Sequence, residues 1–155
     1  MLSVTSQYAL RSLVHLAQLP PATSILGRDL AARAGIPANY LAKILLALRN
    51  AGMVETARGQ GGGYRLAKRP DQIPLVDVVD LLEGVRNRPG CLLGEGHECC
   101  DRDACSAHEA WKVVRLAYLN FLTTNTIADI GRFRTPTPRR KKTRKNATVS
   151  QAGSL

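Results

Sequence analysis

All four cysteines of the chain lie within 15 residues, at positions 91, 99, 100 and 105, and His108 follows shortly after Cys105. Three thiolates and an imidazole this close together could hold a zinc ion or an iron–sulfur cluster, because both are bound by strongly donating sulfur and nitrogen ligands. Structural zinc usually shows closely spaced cysteine pairs, whereas seven residues separate Cys91 from Cys99 and five separate Cys99 from Cys105. These wide gaps favour a cluster. Adjacent Cys99 and Cys100 are not expected to bind the same iron, so one of them is expected to be a bystander.

Two other interpretations of these cysteines stay open on the residues alone. A binding protein could use them for zinc or as free, redox-active thiols, and a small redox enzyme could use them in catalysis. The enzyme is the weakest interpretation, because the sequence shows no pair of acid/base residues and no nucleophile–base motif. Clustered cysteines in a chain expected to be cytoplasmic indicate metal or redox chemistry rather than a disulfide framework.

The net charge of +10 is distributed unevenly. Residues 28–69 contain eight basic and two acidic residues, residues 70–131 contain five basic and ten acidic residues, and residues 132–155 contain eight basic residues and no acidic one. A basic region beside an acidic one is typical of a nucleic-acid-binding protein. A merely solubilising surface is the alternative that charge alone leaves open.

The length and hydropathy of the chain limit its class. A chain of 155 residues is long enough for one domain, or for one small domain with appendages. It contains no apolar run of about 18 residues, so we expect no membrane span. The first residues lack the layout of a signal peptide, so we expect a cytoplasmic protein.

The first 66 residues predict a winged helix-turn-helix, in an α+β, mostly helical fold. A first helix, capped by Thr5 or Ser6, is followed by helices over about 27–34 and 37–50 with Gly35 between them. The stripe of the third helix consists of Leu41, Ile44, Leu45 and Leu48. Strand-like runs at 53–57 and 64–66 flank a glycine-rich loop, which predicts a β-hairpin that serves as the wing.

The helix-turn-helix interpretation assigns DNA contacts to particular residues. The third helix of such a motif places its N-terminal residues against base edges in the major groove. Asn39 could read adenine, Tyr40 could donate to phosphate, and Lys43 could reach guanine or phosphate. The other predicted contacts lie at the start of the second helix and in the wing: Arg28, Arg58 and Gly59. A plain protein-interaction winged helix is the alternative.

The sequence predicts a DNA-binding domain over residues 1–85 and three further parts after it. These are a cysteine loop over 86–106, a dimerisation helix over 107–131 and a basic, disordered tail over 132–155. Trp111, Val114, Tyr118 and Phe121 recur at three- and four-residue steps along the long helix. This narrow apolar seam favours a partner helix, although packing on the chain's own body would also explain it.

Taken together, these motifs resemble the Rrf2 family of winged-helix regulators, whose cluster-binding members include the IscR and NsrR types. The resemblance covers about residues 1–130. The segments that carry it are Ser6–Arg11, Ile36–Leu41, Leu48–Val54, Arg58–Tyr64 and Cys105–Trp111.

The resemblance implies a homodimer that binds a pseudo-palindromic operator and holds an iron–sulfur cluster on Cys91, Cys99, Cys105 and His108. A histidine ligand favours a 2Fe–2S over a 4Fe–4S cluster, by analogy with mixed Cys/His centres. We expect a repressor that senses redox, iron or nitric oxide status. NsrR-like members use an N-terminal aspartate, where this chain has Gln7 or Tyr8, so that ligand set is not expected here. Some IscR-like members have a recognition-helix glutamate where this chain has Ala42, so their operator preference does not transfer.

Overall fold

Six helices and one β-hairpin pack around a single apolar core in the part of the chain that the structure describes. The structure, a computed structural model, describes residues 2–57, 59, 62–87 and 104–131. The helices are α1 (Val4–Ala17), α2 (Gly27–Ala34), α3 (Ala38–Asn50), α4 (Leu75–Glu83), α5 (His108–Thr124) and α6 (Ile127–Ile130), with a 3₁₀ turn at Pro70–Gln72. Strands β1 (Val54–Ala57) and β2 (Gly63–Leu66) form the hairpin. Within these residues no helix combines the length and apolarity needed to cross a membrane.

The core joins the helix-turn-helix to the later helices. Leu13 of α1, Leu30 of α2 and Leu48 of α3 are fully buried, and Val78 of α4 and Ile127 of α6 are buried against the same cluster. The predicted stripe of α3 is the buried face of that helix. Burying such aliphatic side chains contributes about 1.5–3 kcal/mol each, so the core holds the opposite face of α3 in a defined orientation.

The start of α1 differs from the prediction. Ser3, rather than Thr5 or Ser6, caps the helix, and its Oγ accepts a hydrogen bond of 3.2 Å from the backbone N–H of Ser6. Ser3 takes this role because its backbone is extended and Ser6 is the third helical residue, whose N–H has no partner inside the helix.

The turn of the helix-turn-helix is built as predicted. Gly35 ends α2 in the left-handed conformation, with φ of 63°. The N–H of Ile36 then donates to the carbonyl of Ala31 at 3.0 Å, which satisfies a free carbonyl of the last turn. Pro37 is the cap residue immediately before α3, whereas the predicted helix began at Pro37 itself.

The wing is tied to the helix-turn-helix by a third short strand segment. Ile25, just before α2, pairs with Tyr64 of β2: its N–H donates to the Tyr64 carbonyl at 3.1 Å, and its carbonyl accepts from the Tyr64 N–H at 2.8 Å. The sequence analysis did not predict this pairing, because it joins residues 39 positions apart. The two hydrogen bonds fix the base of the hairpin against the N-terminus of α2.

The segment 107–131, predicted as one dimerisation helix, contains two helices. Asn125 ends α5, and Thr126 starts α6 through a capping box in which Asp129 accepts from the Thr126 N–H at 2.8 Å. The short helix turns back onto the body, where the Ile127 N–H donates to the Ile73 carbonyl at 3.0 Å. The chain therefore leaves the described fold beside α1 and the 3₁₀ turn, not from the end of the long helix.

Candidate nucleic-acid interface

The outward face of α3 presents the three residues that were predicted to read DNA. Asn39, Tyr40 and Lys43 are all exposed, and Ala42 beside them is exposed too. They occupy the first two turns of the helix, whose opposite face is locked in the core. A side chain that reaches a base edge has to stand on a helix that cannot rotate, and the core packing supplies that condition.

Asn39 is engaged with the backbone in this structure. Its Oδ1 accepts a hydrogen bond of 2.9 Å from the N–H of Tyr40. Bidentate reading of adenine uses both the oxygen and the amide nitrogen of an asparagine. Asn39 would offer adenine the second lone pair of its Oδ1 together with its amide nitrogen, and the bond to the Tyr40 N–H holds its side chain at the start of α3.

Tyr40 is held by residues that the sequence reasoning did not assign to the site. Its ring packs edge-to-face on Tyr8 of α1, with 6.3 Å between centroids and 80° between planes. Arg11 stacks over the other ring of this pair, 5.6 Å from the Tyr8 centroid, and its guanidinium donates to the Ala34 carbonyl at 3.1 Å. Arg11 thus satisfies the C-terminal end of α2 while supporting Tyr8. Arg11 is the only Lys or Arg of α1, and that was the available signal.

Three basic side chains of the 28–69 region are ion-paired. Arg28 lies within 3.2 Å of the Asp29 carboxylate, and its side chain is 80% exposed. Exposed pairs of this kind contribute little to stability, so Arg28 can exchange its partner for a phosphate at small cost. The other two pairs are Arg65–Glu55, across the hairpin, and Arg69–Asp71.

The Arg69–Asp71 pair reduces the charge that Arg69 offers to DNA. Their side-chain hydrogen bond raises the pKa of Arg69 and lowers the pKa of Asp71, so both stay ionised. Lys43, by contrast, stands exposed near the start of α3.

The tip of the wing is described at one residue. Gly59 is exposed, with φ of 98°. Arg58, the predicted basic contact of the wing, lies outside the described residues.

The C-terminal end of the cysteine loop leads directly into α5. Cys105 is an exposed free thiol, and the N–H of His108 donates to its carbonyl at 3.0 Å. His108, the first residue of α5, is 7% exposed, and its Nε2 lies 3.8 Å from an oxygen of Glu109. The predicted ligands Cys91 and Cys99 lie outside the described residues. Within the described ranges no three His, Cys, Asp or Glu side chains form a group that could hold a metal ion.

The donor chemistry at this end of the loop fits a metal or cluster site. A thiol and an imidazole three residues apart, at the start of α5, are donor types that both zinc and iron accept. Cys105 and His108 would supply two ligands of a cluster.

The N-terminal end of the loop is clamped to α4. The guanidinium of Arg86 donates to Asp77 at 2.7 Å and to Asp80 at 3.4 Å, and the Arg86 N–H donates to Asp80 at 2.8 Å. The hydrogen bond with Asp77 is the main reason that the pKa of Arg86 is raised. The chain is thus fixed on the body five residues before Cys91.

The long helix α5 has an inner and an outer face. Tyr118 packs against the core, and burial is the main cause of its raised pKa, with the Glu83 carboxylate adding to the effect. The four large apolar side chains that are more than half exposed on the helix are Val113, Val114, Leu116 and Phe121. The predicted seam therefore divides: Tyr118 packs on the chain's own body, whereas Val114 and Phe121 face outward.

Known proteins resemble this chain over most of its length. A family model described as "Rrf2: Iron-dependent Transcriptional regulator" matches residues 2–132. Protein rrf2 of Nitratidesulfovibrio vulgaris is 35% identical over 132 residues, which cover 84% of this chain and 87% of that protein. The HTH-type transcriptional regulator NsrR of Geobacillus kaustophilus is 35% identical over 125 residues, covering 81% and 85%.

Two solved structures share the fold. One is described as CymR, the global cysteine regulator of B. subtilis, with a TM-score of 0.68 and 27% identity over 84% of this chain and 95% of that one. The other is IscR of T. potens, with a TM-score of 0.67 and 27% identity over 84% and 85%. These matches agree with the winged-helix fold. The chain belongs to the Rrf2 family, and it is a transcriptional regulator rather than an enzyme.

Proposed function

We propose that the chain is a homodimeric repressor that binds a pseudo-palindromic operator with α3 in the major groove and the wing beside it. The observation that carries this proposal is the orientation of α3, which buries its leucine and isoleucine stripe and exposes Asn39, Tyr40 and Lys43. Arg28 would contact the DNA backbone, Arg58 would enter a minor groove, and Gly59 would let the wing approach the DNA closely. We expect the protein to be cytoplasmic, because the operator DNA that it would bind is there.

The dimer in this proposal uses the outer face of α5. A helix that exposes four large apolar side chains to water is suited to a second copy of itself. The two-fold symmetry of such a dimer matches the symmetry of a pseudo-palindromic operator.

The cysteine loop is proposed to hold an iron–sulfur cluster, with 2Fe–2S as the favoured type. Cys91, Cys99, Cys105 and His108 would be the ligands, and a bound cluster would supply redox or nitric oxide sensitivity. Support comes from the donor pair at the start of α5 and from relatives that include an IscR and an NsrR protein. Arg86, bound to Asp77 and Asp80 of α4, and His108 on α5 would hold the two ends of the loop at a fixed separation.

A second candidate is a regulator that uses the same thiols without a cluster, or with zinc. The observation that favours it is the exposed Cys105 thiol, together with the similarity to a structure described as a global cysteine regulator. An exposed thiol is open to oxidation or to exchange with another thiol.

Iron and acid-labile sulfide analysis of anaerobically purified protein separates these candidates. We expect a coloured protein with charge-transfer absorbance, and loss of iron and sulfide in Cys91→Ser, Cys99→Ser and Cys105→Ser, because each removes a ligand. Cys100→Ser is the matched control and should retain the cluster. A colourless protein with bound zinc, or with no metal, would exclude the cluster. Iron retained in Cys99→Ser but lost in Cys100→Ser would reassign the middle ligand.

A further inference from the structure

Helix α3 carries a large aliphatic side chain on the side that points away from the core. Leu46 is 51% exposed, and it is the only Leu, Ile, Val or Met among the exposed residues of α3. The main neighbours of α3 are α1, α2 and β1, and its buried stripe packs into the core that they share. The described residues therefore leave about half of the Leu46 side chain open to a partner.

The position of Leu46 along α3 places it in line with the predicted reading residues. The exposed residues opposite the buried stripe follow one another at steps of four, three and four residues: Asn39, Lys43, Leu46 and Asn50. Residues at these steps lie on one line along a helix. Leu46 thus belongs to the face that the proposed function places in the major groove, and it is continuous with Lys43 rather than a separate apolar patch.

The base edges of the major groove offer one group that suits a leucine. They present hydrogen-bond donors and acceptors, and their one apolar group is the 5-methyl group of thymine. Leu46 lies about 4.5 Å further along the axis of α3 than Lys43, since a helix rises about 1.5 Å per residue. Successive base pairs are about 3.4 Å apart. With α3 lying along the groove, Leu46 would therefore meet the base pair next to the one that Lys43 addresses.

We infer that Leu46 determines part of the operator sequence by packing on the 5-methyl group of a thymine in each half-site. Contact between the two apolar groups removes both from water, which favours binding. A cytosine or an adenine at that position would bring an amino group against Leu46 and deprive it of water, which disfavours both bases. The inference rests on the proposed function, in which α3 occupies the major groove, and it does not depend on the cysteine loop.

The test removes the methyl group from the DNA and the leucine from the protein, separately and together. The probes are a duplex selected from random sequences by the unaltered protein, and copies in which each thymine of one half-site is replaced in turn by deoxyuridine, which lacks only the methyl group. For the unaltered protein we expect one thymine whose replacement lowers affinity about fourfold, the factor that corresponds to burying one methyl-sized group. In Leu46→Ala the same replacement should lower affinity by less than about 1.5-fold, because the methyl group has lost its partner.

Leu81→Ala is the matched control, because it removes a leucine that is 41% exposed on α4 rather than on α3. This variant should keep the full effect of deoxyuridine. A merely structural role of Leu46 would lower affinity for the selected duplex and for its deoxyuridine copies by the same factor, so the ratio between the two duplexes isolates the contact.

A deoxyuridine effect at every thymine that is the same in Leu46→Ala as in the unaltered chain would overturn the inference. So would a change of oligomeric state in Leu46→Ala with unaltered sensitivity to deoxyuridine, because Leu46 would then contact a second copy of the chain. Failure of the proposed reading face would look different: the unaltered protein would bind the selected duplex no more tightly than random DNA, whichever residue stands at position 46.

Discussion

Lys43 is the side chain on which sequence-specific binding depends most directly in this account. It is exposed on the N-terminal half of α3, where the helix is expected to face base edges. Its neighbour Tyr40 is held by Tyr8, whereas Asn39 is bonded to the backbone. Lys43 is exposed and has the longest flexible side chain of these three, so it is the one that would reach farthest from the helix toward a base edge.

We predict that Lys43→Ala lowers affinity for an operator selected from random duplexes by roughly 5- to 150-fold, because a base contact contributes about 1–3 kcal/mol. The matched control is Arg49→Ala, which removes one exposed positive charge from the C-terminal end of the same helix. Fluorescence anisotropy titrations on operator and random DNA measure both variants. Equal losses for the two variants would mean that Lys43 contributes only charge.

At the scale of elements, the attachment of the wing depends on Gly63. Its φ is +153°, and a Cβ at this position would lie 2.3 Å from the carbonyl oxygen of Ile25. That contact is with backbone, so no side-chain rotation can relieve it. A side chain at position 63 would push Ile25 away from Tyr64 and break the pairing between the wing and the start of α2.

Gly63→Ala should therefore destabilise the fold more than an ordinary substitution of a left-handed glycine. Gly52→Ala is the comparison, because Gly52 has φ of +68° and open space at its Cβ, and it should cost only about 1–2 kcal/mol of conformational energy. Gly63→Ala should lose at least about 1 kcal/mol more, since two hydrogen bonds are disturbed. Urea unfolding gives the free energies, and equal losses in the two variants would show that the Ile25–Tyr64 pairing does not matter.

The elements that sequence predicted well are those with strong local signals. Gly35 ends α2 in the left-handed conformation, and this end was predicted from the glycine. Apolar periodicity in the same way identified the buried face of α3. These signals are contained within a few neighbouring residues, so no knowledge of the tertiary fold was needed.

The features that the sequence did not predict are of two kinds. One is a helix too short to show a pattern, and the other is a contact between residues far apart in the chain. Helix α6 is only four residues long, so it has no apolar period, and only its Thr126–Asp129 capping pair indicates a helix start. The contact between Tyr8 and Tyr40 joins residues 32 positions apart. No local pattern specifies such a contact, and it arises only once α1 and α3 pack together.

For the molecule as a whole, the proposed link between the cysteine loop and DNA runs through α5. His108 is the first residue of this helix, Cys105 lies three residues before it, and the cap residue Ala107 provides no side-chain hydrogen bond. The inner face packs on the body through Tyr118, and the outer face is the proposed dimer surface. Ligation at Cys105 and His108 would hold the uncapped first turn, and loss of ligation would let it fray.

Fraying at that point should change the angle between the two reading faces of a dimer. The half-sites of an operator are about 34–36 Å apart, so a small change of angle misaligns one of the two α3 helices. Contacts with phosphates of random DNA have no fixed spacing to satisfy. The charges that make those contacts are the same in both forms.

The most direct test of this account is a pair of titrations with cluster-loaded protein and with protein stripped by a chelator, each on a selected operator and on random duplex DNA. We predict that operator affinity differs by at least about fivefold between the two forms, while affinity for random DNA stays the same within error. Equal operator affinity in the loaded and stripped forms would contradict the account, and the cysteine loop would then have only a structural role.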